Sequence, residues 1–132
     1  MKEVENYLKE CGIFYLATVD GDQPYVRPFG VAEIINGRLY FMTGKSKDVF
    51  KQLARNCKFE VCATKPSGEE WMRLCGELVN DDSREIKEEY LRRHEELKPL
   101  YSVDDGNMAV LYVRNATARF FSFTAPVREV KF

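Results

Sequence analysis

Between Tyr25 and Lys47 the chain sets an Arg27-Pro28-Phe29-Gly30 strand ahead of Thr43-Gly44-Lys45-Ser46-Lys47, a turn that opens a helix. An arginine, hydroxyls and two lysines gathered at a helix start suit a phosphate monoester. The basic side chains supply charge-assisted hydrogen bonds, and the free N–H groups and dipole of the helix N-terminus add to them. Strand alternation sends Tyr25, Arg27 and Phe29 to one face and Val26, Pro28 and Gly30 to the other. Pro28 cannot donate to a sheet ladder, so it marks an edge or an interruption, and Gly30 lets backbone approach a ligand closely. A strand edge with free main-chain groups could hydrogen-bond the rim of a flat heterocycle. The Thr43–Lys47 run is not a P-loop: the Gly-x-x-x-x-Gly-Lys-Ser pattern and a parallel βαβ context are both missing. What it offers is Ser46 as N-cap, Lys45 and Lys47 as point charges and Thr43 as a hydroxyl donor. An ordinary capped helix with solvated lysines accounts for these residues equally well.

Elsewhere the chemistry is sparse. Trp71-Met72-Arg73 holds the only tryptophan, which packs in a core or interface by default but could also line a flat aromatic ligand. The only histidine, His94, falls in the charged run Arg92-Arg93-His94-Glu95-Glu96 and reads as a solvated helix position. One histidine so placed supports no Ser/His/Asp or Cys/His set. Glu85, Glu88 and Glu89 are spaced as a wet helix face. A ligand site without acid–base apparatus suits a cofactor that carries its own chemistry, with the protein supplying binding and electrostatics.

These residues need a scaffold, and 132 residues suffice for one domain, residues 1–132. With 45% hydrophobic and 31% charged residues the composition is that of a soluble globular protein. A net charge of −1 and a pI near 5.9 argue against generic binding to nucleic acid or an anionic membrane, so a phosphate site must be a local cluster. Cys11, Cys57, Cys62 and Cys75 form no Cys-x-x-Cys pair and read as buried free thiols, and no metal site is expected. The polar N-terminus lacks a signal core, and no apolar run approaches the roughly 20 residues of a spanning helix. A cytoplasmic protein with reduced thiols is the expectation.

Helical spacing of Val4, Tyr7, Leu8 and Cys11 ends at Gly12. Ile13–Val19 and a return strand over Pro24–Ile35 flank an Asp20-Gly21 turn, and Asn36-Gly37 leads into Arg38–Thr43, so three strands form a meander. Lys47–Arg55 reads as a helix with Val49, Phe50, Leu53 and Ala54 on one face and Lys51, Gln52 and Arg55 opposite. Lys58–Thr64 and Glu70–Val79 are strands, the latter bent at Gly76. Asp82-Ser83-Arg84-Glu85 resembles a capping box for a helix that turns Ile86, Tyr90, Leu91 and Leu97 inward and ends at Pro99. After an Asp105-Gly106-Asn107 turn, Met108–Arg114 and Ala116–Thr124 form a last strand pair. Six or seven antiparallel strands with short helices predict a mainly β fold, a β-barrel with peripheral helices.

Taken in order, Phe14 to Gly21, Arg27 to Gly30, Gly37 to Thr43, Lys45 to Lys47 and Trp71 to Gly76 resemble the pyridoxamine 5′-phosphate oxidase-like, FMN-binding split-barrel family. The resemblance runs from Tyr7 to the C-terminus and implies a six-stranded antiparallel split barrel that forms a homodimer with FMN at the subunit interface. It implies that Arg27, Lys47 and Ser46, with Lys45 beside them, hold the FMN phosphate. It further implies that Pro28, Phe29, Gly30, Met42 and Thr43 border the ribityl chain and ring. By the same resemblance Trp71, Met72 and Arg73 would come from the second subunit, and Phe121 or Phe123 would close the flavin edge. Pyridoxamine-phosphate oxidases carry a C-terminal Arg-x-His element, whereas this chain reads Pro126-Val127-Arg128-Glu129-Val130-Lys131-Phe132. In this it more closely resembles the nitroimidazole-resistance-type reductase branch of the family. The expected function is an FMN-dependent oxidoreductase in which reduced flavin passes hydride or electrons to a small electrophile, such as a nitroaromatic or quinone. The alternatives are a non-catalytic flavin-binding or electron-carrier module, a pyridoxamine 5′-phosphate oxidase-related activity, or a structural protein that keeps the barrel.

Overall fold

Gly12 stops the first helix, α1 (Lys2–Cys11), and the chain turns into β1 (Phe14–Asp20). The computed structural model describes residues 1–132. β1 folds back through Gly21-Asp22 as β2 (Gln23–Phe29), paired from Phe14↔Phe29 to Asp20↔Gln23. Asn36-Gly37 joins β3 (Glu33–Ile35) to β4 (Arg38–Gly44), and both turn residues adopt left-handed φ, 49° and 76°. That conformation suits the two-residue hairpin. Then come α2 (Asp48–Arg55), β5 (Lys58–Thr64), β6 (Glu70–Asp81) and α3 (Arg84–Arg93). Ser83 caps α3, its side chain accepting from the Ile86 N–H. A 3₁₀ turn (Glu95–Leu97) leads to β7 (Met108–Ser122) and β8 (Arg128–Lys131).

The strands form one antiparallel sheet of eight in the order β2-β1-β5-β6-β7-β4-β3, with β8 on β7. The sheet curls until side chains from its two ends meet. Phe14 of β1 and Phe29 of β2 lie 5.5 Å and 6.3 Å, ring to ring, from Phe41 of β4, and Phe59 of β5 completes the cluster at 6.1 Å. A core of 20 buried residues fills this interior, including Leu16, Val61, Met72, Leu74 and Leu111. Burying such side chains is worth about 1.5–3 kcal/mol each, and that drives closure. Outside the barrel, Ile86, Tyr90 and Leu91 of α3 cover Tyr40, Met108 and Val110, so β4 is buried on both faces.

Several elements differ from the sequence reading. The expected Pro24–Ile35 strand is two, because residues 30–32 leave the ladder. β2 and β3, neighbours in sequence, terminate opposite ends of the sheet, and residues 30–32 bridge the split. Pro28 is accommodated because β2 is an edge strand. The expected final pair is one strand, β7, in which Asn115 at φ 50° makes a bend. One residue is too short a loop to reverse a strand. β8, four residues of mixed charge, carries no sequence signal and was not expected. α3 ends at Arg93, before Pro99. On α2 the N-cap is Lys47, without a side-chain bond, in place of Ser46, and Gln52 is buried while Ala54 is exposed. The four cysteines are unpaired, but Cys62 is exposed and the other three are half-buried; on β5 the inward positions belong to Phe59, Val61 and Ala63, which alternation places opposite to Cys62.

The expected bend at Gly76 is present as a register shift between Cys75 and Glu77. A Cβ there would sit 2.9 Å from the Arg114 carbonyl oxygen and 3.0 Å from the Ala116 Cα, so only glycine lets β6 and β7 approach. Glu77 anchors the same bend: Lys58 Nζ donates to Oε2 at 2.8 Å, and Arg114 Nε and Asn115 Nδ2 donate to Oε1 at 2.9 and 3.0 Å. The Lys58 bond first, then those of Arg114 and Asn115, lower its pKa from 4.5 to about 2. Because the folded pKa is the lower one, this contribution to stability is complete above the unfolded pKa of about 4.3 and lost as pH falls through about 2. Glu77→Gln is therefore expected to be less stable than the parent at pH 7, with the gap closing as pH falls from about 4.5 to 2. Urea unfolding at several pH values in that window tests this, and a gap independent of pH contradicts it.

Candidate functional site

Arg27 enters the barrel end from β2, where alternation turns it inward beside Phe29. Its Nη1 donates to the Leu16 carbonyl oxygen at 3.2 Å and Thr18 Oγ1 at 2.8 Å, and its Nη2 donates to Gln52 Oε1 at 2.7 Å. Thr18 Oγ1 in turn donates to Gln52 Oε1 at 2.6 Å. Thr18 and Gln52 are 4% and 5% exposed, so this bracket is rigidly packed. Every acceptor is neutral. A guanidinium has five N–H groups, and three are used here, leaving the Nε–H and one Nη2–H free.

No carboxylate lies within 4.0 Å of Arg27. Every other lysine and arginine except Arg38, Lys47 and Lys51 has such a partner. Arg38 lies over the Tyr112 ring instead. Three of the four unpaired cations thus lie on β2 and at the start of α2. Burial lowers the Arg27 pKa, and Asp48 partly opposes that shift. A half-buried cation held by neutral acceptors, with donors to spare, is poised for an anion.

Arg27 lines a cleft of about 260 Å³. Arg27, Pro28, Phe29 and Gly30 line one side, with Val31 beyond them. Met42, Thr43, Lys47 and Val49 form a second wall, and Leu97, Leu100 and Tyr101 form a third. Lys47 is exposed at the N-cap of α2, and no side chain caps the first N–H groups of that helix.

Seven of the expected residues therefore line one cleft: Arg27, Pro28, Phe29, Gly30, Met42, Thr43 and Lys47. Lys45 points elsewhere, donating to Asp82 Oδ1 at 3.1 Å, and Ser46 is exposed beside the cleft. Trp71 and Arg73 face out from β6, away from it. Trp71 stacks on Phe121 at 5.4 Å and 4°, and Arg73 is bonded to Glu60. Met72 between them is fully enclosed in the core, which leaves its side chain no surface to offer. His94 is no solvated helix residue: its Nε2 lies 2.9 Å from Glu33 Oε1 and its Nδ1 3.2 Å from Glu96 Oε1, off the cleft. Gln52, Thr18 and the Leu100-Tyr101 wall were missed. Gln52 had a signal, since it follows Val49 by three residues and so shares its helix face.

Comparison with known proteins decides the family. The model for pyridoxamine 5′-phosphate oxidase like proteins matches residues 1–130. The chain belongs to the pyridoxamine 5′-phosphate oxidase-like family. Within that family it is similar to a NimC/NimA family protein from Clostridium acetobutylicum, with 45% identity and a TM-score of 0.96 over 100% of this chain and 92% of that one. A pyridoxamine 5′-phosphate oxidase-related, FMN binding protein from Nostoc punctiforme shares 13% identity, with a TM-score of 0.70 over 99% of this chain and 95% of that one. A heme binding protein from Mycobacterium smegmatis shares 14% identity and a TM-score of 0.72 over 96% of this chain and 57% of that one. The latter two likenesses concern the fold, the antiparallel split barrel. No match is found among curated proteins. No helix of this family member is long and apolar enough to cross a membrane.

Proposed function

We propose that the protein binds FMN and acts as an FMN-dependent oxidoreductase on a small electrophile, as a homodimer with its flavin sites between subunits. The observation that carries this reading is the pair of unpaired cations, Arg27 and Lys47, at the uncapped start of α2 on an otherwise largely apolar cleft. Arg27, Lys47 and the α2 N–H groups would hold the phosphate, with Ser46 and Lys45 at its margin. The main chain from Pro28 to Gly30, with Met42 and Thr43, would border the rest of the cofactor. FMN, once bound, supplies the redox chemistry. The chain's own groups bind and orient it and exclude water, since the only titratable side chains lining the cleft are Arg27, Lys47 and Tyr101.

Two features favour a second copy. The cleft, at about 260 Å³, is smaller than the roughly 300–1,000 Å³ of complete small-molecule sites. Phe123, 75% exposed, lies 5.6 Å from Trp71 of the stacked Trp71–Phe121 pair, and Ile13, Tyr15 and Val26 are likewise exposed at 55%, 54% and 66%. Exposed apolar groups of this size suit a surface that a second copy covers. Trp71 and Arg73 would then reach the flavin of the opposite subunit. Four unpaired thiols suit the reducing cytoplasm.

Purified protein should show flavin absorption or take up added FMN. Under anaerobic conditions NADH or NADPH should reduce the flavin, and a nitroaromatic or quinone should reoxidise it. Uptake without reduction by either donor would instead assign a flavin-binding or electron-carrier module. Failure to take up FMN at all would leave a barrel without this cofactor.

A further inference from the structure

The turn that presents Lys47 has no side-chain cap of its own, yet it is held by a residue 61 positions away. Asn107 Oδ1 accepts the Ser46 N–H at 2.9 Å, and the Asn107 carbonyl oxygen accepts the Lys45 N–H at 2.6 Å. These bonds continue past the last ladder pair of β4 and β7, Gly44↔Met108. The fit is close: a Cβ on Gly44 would lie 2.9 Å from Asn107 Nδ2. Asn107 is itself set by Asp105. Asp105 Oδ1 accepts the N–H groups of Asn107 and Met108 at 2.7 and 2.8 Å, and Oδ2 accepts the Ser102 N–H at 3.0 Å. Donation from Met108, Ser102 and Asn107 holds the Asp105 carboxyl below the usual carboxylate range, so it is ionised and a strong acceptor at neutral pH. Ser102 directly follows Tyr101, which with Leu97 and Leu100 forms the apolar wall of the cleft.

From this geometry we infer that Asp105 and Asn107 are positioning residues for the cofactor site, joining its cationic end to its apolar wall. Asn107 clamps the Lys45-Ser46 turn so that Lys47 and the α2 N-terminus stand beside Arg27. Asp105 fixes Asn107 with one oxygen and, through Ser102, the loop after Tyr101 with the other. Neither residue lines the cleft, so both act through the residues that do. The inference rests on reading the cationic end as a phosphate site.

The test titrates the parent protein, Asn107→Ala, Asp105→Asn and Arg27→Ala with FMN and with riboflavin, which lacks the phosphate. Asn107→Ala is expected to weaken FMN binding roughly tenfold, the effect of one misplaced hydrogen-bonding group, while riboflavin binding changes less than about twofold. Asp105→Asn should act in the same direction by a smaller factor. Hydrogen exchange of the ligand-free proteins adds a readout independent of flavin: the Ser46 amide should lose protection in Asn107→Ala while core amides of β5 and β6 keep theirs. Unchanged FMN affinity in Asn107→Ala, with Arg27→Ala impaired, overturns the positioning role and leaves the phosphate site standing. Equal losses for FMN and riboflavin in Asn107→Ala also overturn it. If Arg27→Ala itself binds FMN normally, the phosphate reading fails, and the exchange result alone then decides whether Asn107 clamps the turn.

Discussion

Arg27→Ala is expected to weaken FMN binding by about 1.5–3 kcal/mol, roughly 10- to 150-fold, and to leave riboflavin binding nearly unchanged. The size follows from the bracket around the guanidinium. Arg27 is half-buried and pre-aimed by Thr18, Gln52 and the Leu16 carbonyl, so little side-chain entropy remains to be lost when its free N–H groups meet a phosphate. Lys47 differs. It is an exposed point charge on a flexible stem, and Lys47→Ala should cost about 0.5–1 kcal/mol, with a loss that shrinks as salt is raised. The fold should tolerate Arg27→Ala within about 1 kcal/mol, because Thr18 and Gln52 keep their mutual bond. Calorimetric titration at two salt concentrations measures the binding losses and urea unfolding the stability, and a loss shared equally by FMN and riboflavin would place the phosphate elsewhere.

Phe41→Ala should be the most damaging single truncation, costing about 3–5 kcal/mol of stability. Phe41 is fully buried and is the one ring of the cluster that meets the other three, Phe14, Phe29 and Phe59. It lies on a strand whose opposite face carries the equally buried Tyr40, so β4 cannot shift inward to fill the gap without uncovering the α3 core. Phe29 also lines the cleft, which ties this cavity to the site. Phe41→Leu keeps most of the volume and should cost clearly less. Urea unfolding measures both, and a Phe41→Ala cost below about 1 kcal/mol would show that the barrel ends do not close on this ring.

Much of the site was legible because its residues sit near one another in the chain and their types state their chemistry. Arg27 through Gly30 and Met42, Thr43 and Lys47 do meet at one cleft, although β2 and β4 are not neighbours in the sheet. Gln52 was placed on the wrong face because its polarity was weighed above its spacing. A buried amide is stable only when its partners are present, and those partners, Thr18 and Arg27, come from two other strands. Asn107 was legible only as a turn residue, since nothing local shows that its carboxamide reaches Ser46.

By itself the sequence determined the features that depend on a few adjacent residues: the left-handed turn at Asn36-Gly37, the bend at Gly76, the Ser83 cap and the clustered charge between Arg27 and Lys47. Only the tertiary structure decided that β2 and β3 part at residues 30–32 to opposite ends of the sheet, and that β7 is one bent strand. It also decided which four cations stay without a carboxylate. The reason is physical: alternation and turn chemistry set which way a side chain faces, whereas its partner is chosen by closure of the whole sheet around Phe41.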